Sequence, residues 1–309
     1  MSTFKNIRGK AIKSLASDPS PVSNGDIWYN STSQTLKGVV PVSAWSSGGN
    51  LGTGRRILGR AGVVSAGLAM GGVSPPGSPS NLTEEYNGTA WTGGGNMATA
   101  QHGLASDGTQ TAAYAAGGAD VPAPAVSQEY NGSSWTAGNN VQTARRYPVG
   151  TGTQTAGLIF GGVGSSATET YDGTNWTSVS SMNTARSEFA GAGTQTATVG
   201  FGAPTATEDW NGSSWTTGNN LTYSTYGNAG SGNQTDALSA GGPTGVSTTA
   251  IYDGTNWSSN PSLATGRSGA GGAGSSTTDS MVFGGNIPPN TTATEEFTAT
   301  ATTKTFTTS

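Results

Sequence analysis

The chain has 309 residues, of which only 32% are hydrophobic and 50 are glycine, so its core must rely on close backbone packing and a few large aromatic side chains. It contains no cysteine, which excludes disulfides and thiolate metal sites. The formal net charge of −4 disfavours binding to nucleic acid, and no apolar run is long enough to span a membrane.

The positive charge is concentrated near the N-terminus. We predict that residues 1–24 form an extended basic arm and linker that a partner orders, with a terminus of no function as the alternative. The arm lacks the apolar core of a signal peptide, so we expect synthesis in the cytoplasm of the producing cell. Its candidate attachment residues are Lys5, Arg8, Lys10 and Lys13.

Residues 25–44 are predicted to form a β-hairpin, because Ile27-Trp28-Tyr29 and Thr35-Leu36-Lys37 flank a polar turn. The segment resembles a module near the N-terminus of structural and fibre-like proteins of marine tailed phages. In that module Gly-Asp/Gln-Ile/Val-Trp-Tyr-Asn precedes Gly/Thr-rich repeats of low charge. The resemblance implies a virion protein and adds Trp28 and Tyr29 to the candidate attachment residues.

A repeated motif follows, in which Asn-Gly or Asp-Gly comes after an aromatic residue and a Trp lies five positions beyond that aromatic residue. Its copies end at Trp91, Trp135, Trp176, Trp215 and Trp257. Asn-Gly favours a two-residue type I′ hairpin, and a four-residue loop is the alternative. Either loop places the aromatic residue and the Trp on one face of the ribbon, because side chains alternate along a strand.

A glycine pair recurs in step with the motif. Each Trp lies 25 or 26 positions before the residue that precedes a glycine position, and Trp45 fits the series. Successive Trp residues are 39 to 46 positions apart. This period and the strand-sized segments predict an all-β fold, a six-bladed β-propeller over residues 45–309. The structural anchors are Trp45, Trp91, Trp135, Trp176, Trp215 and Trp257.

Two strands compete to complete the last sheet of this propeller. One contains Trp45, at the start of the repeats, and the other is the tail, residues 303–309. The sequence leaves both closures open, and either one removes an exposed sheet edge.

The repeat resembles the Kelch repeat, with a glycine pair, then Tyr, then Trp, and Thr-Ala-Arg or Thr-Gly-Arg before the next strand, as at Arg145, Arg186 and Arg267. The resemblance covers about residues 45–302 and implies a β-propeller. With the segments before it, the predicted fold is a six-bladed Kelch-like propeller with an N-terminal extended arm and hairpin. The chain departs from the family in its Gly-Thr-Gln-Thr elements and at Gln101 and Ser224, where the other units have Arg. Proline-rich loops of variable length should lie on the same face as the arginines, and such loops often bind partners.

Acidic residues, arginines and one histidine are the candidates for chemistry. The acids Glu85, Glu129, Glu169, Glu208 and Glu296 are interpreted as one repeat position that makes the same structural bond in every unit. The arginines are interpreted as binding residues for an anion or, as the favoured alternative, as structural donors to carbonyls and acids: Arg145, Arg186 and Arg267, with Arg55 or Arg56 in the first unit. His102 is the only histidine, so we expect no enzyme, metal or cofactor.

These observations predict a non-enzymatic phage virion protein, a tail-associated adhesin or fibre component present in multiple copies. The arm would contact other virion proteins, and the loop face would bind a host-surface glycan or protein receptor or a neighbouring subunit. The alternatives are a capsid decoration protein, a carbohydrate-binding or carbohydrate-acting propeller, and a cellular Kelch adaptor. We expect neither nucleic-acid binding nor membrane insertion.

Overall fold

The computed structural model describes residues 12–23, 25–120, 122–243 and 245–306. They divide into two compact units, one of which is Trp45–Thr298. The other combines the residues before Trp45 with those after Thr298, so the predicted range 45–309 is longer than the second unit. Regular secondary structure in the described residues consists of strands, which confirms the all-β prediction. Among these residues no helix has the length and apolar character that crossing a membrane requires.

The first unit contains a hairpin. The strands of this unit are β1 (Lys13–Leu15), β2 (Ile27–Asn30) and β3 (Thr35–Ser47), together with residues 299–306 at the end of the last strand of the chain. Strand β3 continues into the second unit. Antiparallel pairing of β2 with β3 forms the predicted hairpin, with Asn30 opposite Thr35. Strand β1 pairs in parallel with β2, so this part of the predicted extended arm is a sheet strand.

The remaining strands follow one another in short, evenly spaced segments. In chain order they are β4 (Gly59–Val63), β5 (Ala66–Met70), β6 (Val73–Ser74), β7 (Ser78–Pro79), β8 (Thr83–Tyr86), β9 (Trp91–Gly93), β10 (Ala105–Thr109), β11 (Ala112–Ala116), β12 (Ser127–Tyr130), β13 (Trp135–Gly138), β14 (Val149–Thr153), β15 (Ala156–Phe160), β16 (Thr168–Tyr171), β17 (Trp176–Val179), β18 (Ala190–Thr194), β19 (Ala197–Phe201), β20 (Thr207–Trp210), β21 (Trp215–Thr217), β22 (Ala229–Asn233), β23 (Asp236–Ala240), β24 (Thr249–Tyr252), β25 (Trp257–Asn260), β26 (Gly271–Ser276), β27 (Asp279–Phe283) and β28 (Thr294–Phe306).

Most of these strands form four-stranded antiparallel sheets, a β-propeller-like arrangement. The orders are β4-β5-β8-β9, β10-β11-β12-β13, β14-β15-β16-β17, β18-β19-β20-β21 and β22-β23-β24-β25, and β6-β7 is a small hairpin. The last sheet continues from β26 through β27 and β28 to β3. The strand that contains Trp45 therefore completes it, and the Trp45 ring lies 5.0 Å from that of Phe297.

The repeated motif forms a four-residue loop. Tyr130 pairs with Trp135 across it, and their rings lie 5.0 Å apart. Gly132 has a φ of +89°, and the Asn131 side chain accepts hydrogen bonds from the amides of Ser133 and Ser134. The two-residue type I′ turn is wrong, because Asn131 begins the loop and uses its side chain to hold the turn.

Six hydrophobic clusters join each sheet to the next and the last sheet to the first. The first strands of successive sheets are also in contact, and β26 contacts β4. Glycine permits this approach: a Cβ atom on Gly150 would lie 2.6 Å from the Ser106 amide nitrogen. The Gly-Thr-Gln-Thr elements add a second connection, since the Gln154 amide donates to Ala113 and Tyr130 carbonyls in the preceding sheet.

The Trp anchors also bind the preceding sheet. All are buried except the half-buried Trp45. Five indoles donate to a threonine hydroxyl of that sheet, in the pairs Trp45–Thr249, Trp91–Thr294, Trp135–Thr83, Trp215–Thr168 and Trp257–Thr207. Trp176 differs, because the corresponding residue is Ser127 and the indole Nε1 is buried without a hydrogen-bond partner in the described residues.

The missing methyl group explains the difference. Thr83 places its Cγ2 beside Gly94, whereas the Ser127 hydroxyl lies beside Gly138 and donates to the Asn139 carbonyl at 2.8 Å. Without the methyl group, the serine hydroxyl turns into the place that the threonine methyl occupies. It is then turned away from the Trp176 indole.

We therefore expect Ser127→Thr to raise the free energy of unfolding by about 1 kcal/mol, because it gives a buried indole a hydrogen-bond acceptor. Urea denaturation measures the change. Thr83→Ser is the matched control and should destabilise the protein. A Ser127→Thr protein no more stable than the parent would contradict this account of the indole.

Candidate functional site

The arginines predicted as a binding set are buried in four sheets. Arg145 donates from Nη2 to Glu169, from Nη1 to the Ala167 carbonyl at 2.6 Å and from Nε to the Thr143 carbonyl at 3.1 Å. Glu169 also accepts from the amides of Thr143 and Gln142, at 3.0 and 2.7 Å. The side chains of Arg145 and Glu169 are 1% and 0% exposed. Both charges are therefore satisfied inside one sheet.

The same pair recurs as Arg55–Glu84, Arg186–Glu208 and Arg267–Glu295. Arg55 also donates to the carbonyls of Gly71 and Leu82, at the two ends of the variable loop between β5 and β8. The arginines and the variable loops therefore share a face, as predicted. Of the two interpretations of the arginines, this arrangement corresponds to the one in which they are structural donors to carbonyls and acids.

The repeated acids occupy two positions, so their assignment to one position is wrong. Glu169 and Glu208 pair with arginine in their own sheet. Glu85, Glu129 and Glu296 instead accept a hydrogen bond from the tyrosine hydroxyl of the next sheet, in the pairs Tyr130–Glu85, Tyr171–Glu129 and Tyr86–Glu296. One acid position holds a loop inside a sheet, and the neighbouring position joins two sheets.

Two sheets lack the arginine, and the chain changes both partners there. Gln101 occupies the arginine position in the second sheet and accepts a 2.6 Å hydrogen bond from Gln128. In the fifth sheet the position is Thr225 rather than the predicted Ser224, because the Thr225 hydroxyl donates to the Gly241 carbonyl at 3.0 Å. Ala250 replaces the acid there. Neither sheet keeps one charge of the pair without the other.

These neutral pairs define a test. Arg145→Gln leaves Glu169 buried without its cation and should cost about 3 to 5 kcal/mol of unfolding free energy. Adding Glu169→Gln reproduces the Gln101–Gln128 pair, and the double variant should recover most of that loss in urea denaturation. Losses that simply add would show that the two groups act independently. Unchanged stability of Arg145→Gln would favour the ligand-binding interpretation.

A cavity of about 450 Å³ opens where the loops enter the first strands of the sheets of the second unit, and we call it the mouth. One residue of each sheet, two positions before its first strand, has a left-handed backbone with φ between +52° and +62°. These residues are Ile57, Gly103, Tyr147, Glu188, Gly227 and Gly269. Glycine adopts this conformation without strain, whereas Ile57, Tyr147 and Glu188 do not. The fold therefore holds three side chains at the mouth in a costly backbone conformation.

An ion pair of another kind, between Arg60 and Asp107, lies near the mouth and joins two sheets. Arg60 of β4 donates to the Gly191 carbonyl of β18 at 2.8 Å, and its Nη1 lies 3.7 Å from Asp107. Burial raises the pKa of Asp107 to about 6, although Arg60 and the amides of Gly108 and Gly152 favour its charged form. Arg60 and several mouth residues also line a smaller cavity.

Asp107 should make stability depend on pH. Because burial raises its folded-state pKa above 3.8, its contribution is full below about pH 4 and is lost as the pH rises to about 6. The parent should therefore lose about 2 kcal/mol of unfolding free energy relative to Asp107→Asn between pH 4 and pH 8. The unfolding free energy of the variant minus that of the parent becomes more positive by this amount. Thermal denaturation at both pH values measures this. A difference that does not change with pH would contradict the raised pKa.

Three basic residues, which we call the rim cluster, follow the buried positions of the first three sheets: Arg56, His102 and Arg146. Burial is the main cause that lowers the pKa of His102. Arg56 and Arg146 lower it further, and Asp120 opposes them. Arg146 donates from Nε to the Ala119 carbonyl at 3.1 Å, and its guanidinium carbon lies 5.9 Å from the centre of the Tyr147 ring. Of this cluster only Arg56 was predicted from the sequence, as the alternative to Arg55, although the doublets Arg55-Arg56 and Arg145-Arg146 signal both arginines.

The attachment candidates lie in different surroundings. Trp28 is only 2% exposed, and its indole donates to Asp18 at 3.0 Å, whereas Lys13 and Tyr29 are exposed. Lys37, Asn30 and Trp28 donate to Asp18 and lower its pKa to about 2. Lys5, Arg8 and Lys10 lie outside the described residues.

The described residues contain no group of three or more acidic, histidine or cysteine side chains placed to hold a metal ion. Comparison of the chain with protein-family models and with curated proteins gave no match.

Proposed function

We propose that the six sheets are the blades of a Kelch-like propeller and that residues 1–24 are its N-terminal arm. The clusters that join consecutive sheets, and the last sheet to the first, support six blades. So does the contact between β26 and β4. In this arrangement β3 completes the last blade as its fourth strand and covers the edge of β28.

The proposed function is non-enzymatic binding by a virion component, a tail-associated adhesin. The observation that carries the binding role is the mouth, where the strained backbone of Ile57, Tyr147 and Glu188 holds three side chains around one cavity. Backbone strain of this kind clusters at functional sites. The buried Arg–Glu pairs are the rigid support, since their charges are satisfied within the sheets.

The virion placement comes from residues 25–40, which resemble the module of marine phage proteins. The surface of the first unit suits docking to another protein. Of the seven large hydrophobic side chains that are exposed in the described residues, five belong to this unit: Ile12, Ile27, Tyr29, Val42 and Phe306. Ile27 and Tyr29 alternate with the buried Trp28 and Asn30, so both lie on the same face of β2. These two neighbouring exposed apolar side chains support an interaction site at this face of β2.

Localisation on purified particles tests the proposal. Immunogold labelling with antibodies against this protein should mark the tail. A tagged full-length chain expressed during infection should be incorporated into particles, and Ile27→Ser with Tyr29→Ser should reduce its incorporation by about tenfold. Val163→Ser, which changes an exposed hydrophobic residue of the second unit, is the matched control.

The position of the label separates the alternatives. Label on the head would replace the tail adhesin with a capsid decoration protein. Particles without label would overturn the virion role. Equal incorporation of the Ile27→Ser, Tyr29→Ser variant would show that this face of β2 is not the docking surface.

A further inference from the structure

Two arginines of the rim cluster differ from the other arginines. Of the seven arginines within the described residues, five lie within 4 Å of a carboxylate, and the exceptions are Arg56 and Arg146. No terminal amino group of either has a hydrogen-bond partner in the described part of the chain, whereas each of the other five donates from at least one terminal amino group. A chain that pairs its other described guanidinium groups internally therefore leaves these two for another acceptor.

The backbone places these arginines on either side of His102. Each follows a buried residue, Arg55 or Arg145, whose side chain is fixed inside its sheet. The Arg56 backbone exchanges two hydrogen bonds with Val73, at 3.2 and 2.8 Å. His102 lies between them, and its one carboxylate neighbour in the described residues is Asp120, 3.8 Å away and 47% exposed on its side chain. Two guanidinium groups and one exposed carboxylate therefore lie around His102, so an anion at this place would gain attraction from both arginines.

The mouth continues from the rim cluster. Arg56 and Tyr147 line it, and Arg146 lies beside the Tyr147 ring. Elsewhere around the mouth are Glu188 and Tyr226, both exposed. Aromatic rings provide faces for an apolar ring surface, and a carboxylate accepts hydrogen bonds from hydroxyl groups. The volume of about 450 Å³ lies within the range of small-molecule sites.

We propose that the mouth binds an acidic sugar residue, with its anionic group on Arg56 and Arg146, its ring against Tyr147 and Tyr226, and its hydroxyl groups toward Glu188. This inference rests on the proposed binding role and names the class of receptor. Carboxylated and sulfated sugars share the required chemistry, since a guanidinium group binds either anion through two parallel hydrogen bonds.

The test uses the full-length protein on an array of oligosaccharides. One set ends in N-acetylneuraminic acid, a second contains glucuronate and a third carries O-sulfate, and each acidic oligosaccharide has a neutral counterpart. At least one acidic set should bind about tenfold or more tightly than its neutral counterpart. A tenfold difference in affinity corresponds to one charge-assisted contact of about 1.4 kcal/mol, which the neutral oligosaccharide lacks. The set that binds best distinguishes a carboxylate from a sulfate.

Substitutions locate the site. Calorimetric titration with the best acidic oligosaccharide should show affinity about tenfold weaker for Arg56→Ala and for Arg146→Ala. Lys304→Ala removes an exposed positive charge from the first unit and is the matched control, with affinity within about twofold of the parent. Thermal denaturation verifies that each variant is folded.

Equal binding of acidic and neutral oligosaccharides, or no binding to any acidic set, would overturn the inference. So would parental affinity in folded Arg56→Ala and Arg146→Ala proteins. The particle experiment is independent of these results, because it reports attachment through the first unit. Tail labelling without glycan binding would support the virion role and overturn the proposed acidic-sugar site. Glycan binding without particle labelling would overturn the virion role and support the acidic-sugar site.

Discussion

The buried guanidinium–carboxylate pair fixes the segment that enters a sheet to the third strand of the same sheet. In the Arg145–Glu169 pair, the guanidinium donates hydrogen bonds to the carboxylate and to two backbone carbonyls. The carboxylate also accepts hydrogen bonds from two backbone amides. Because both charges are buried, neither can be lost alone without a large cost. The two neutral sheets follow from this constraint: one has the Gln101–Gln128 pair, and the other has Thr225 in place of the arginine and Ala250 in place of the acid. The chain changes the two partners together.

The pair also determines what lies next to it. Each buried arginine or its substitute is followed two residues later by the left-handed position, and two residues after that by the first strand of the sheet. Immobilising Arg55 therefore orients Arg56 and Ile57 at the mouth. A fully buried structural arginine and a half-buried arginine at the mouth are therefore adjacent residues of one short segment, as in the doublet Arg55-Arg56.

In the contacts between sheets, an aromatic residue and its partner in the preceding sheet also match in polarity. A tyrosine hydroxyl reaches an acid of the preceding sheet where both are present, as in Tyr130 and Glu85. Where the acid is replaced by Ile251, the aromatic partner is Phe297, and the two belong to one apolar cluster. Polar and apolar versions of the same contact coexist, since each leaves no buried group without a partner. Trp176 is the exception, because Ser127 lacks the methyl group that directs the hydroxyl in the other sheets.

The sequence by itself determined the all-β class, the period, the aromatic–Trp pairing and the face shared by arginines and loops, because turn residues and side-chain alternation are local. It left the strand that completes the last sheet open, and it merged two acid positions that differ by one residue, Glu85 and Glu169 among them. Only the tertiary structure decided these points, since a shift of one residue along a strand turns the side chain to the opposite face. It also separated Arg55 from Arg56. Which of two adjacent guanidinium groups is buried depends on where carboxylates from distant strands lie, and no local pattern records that distance.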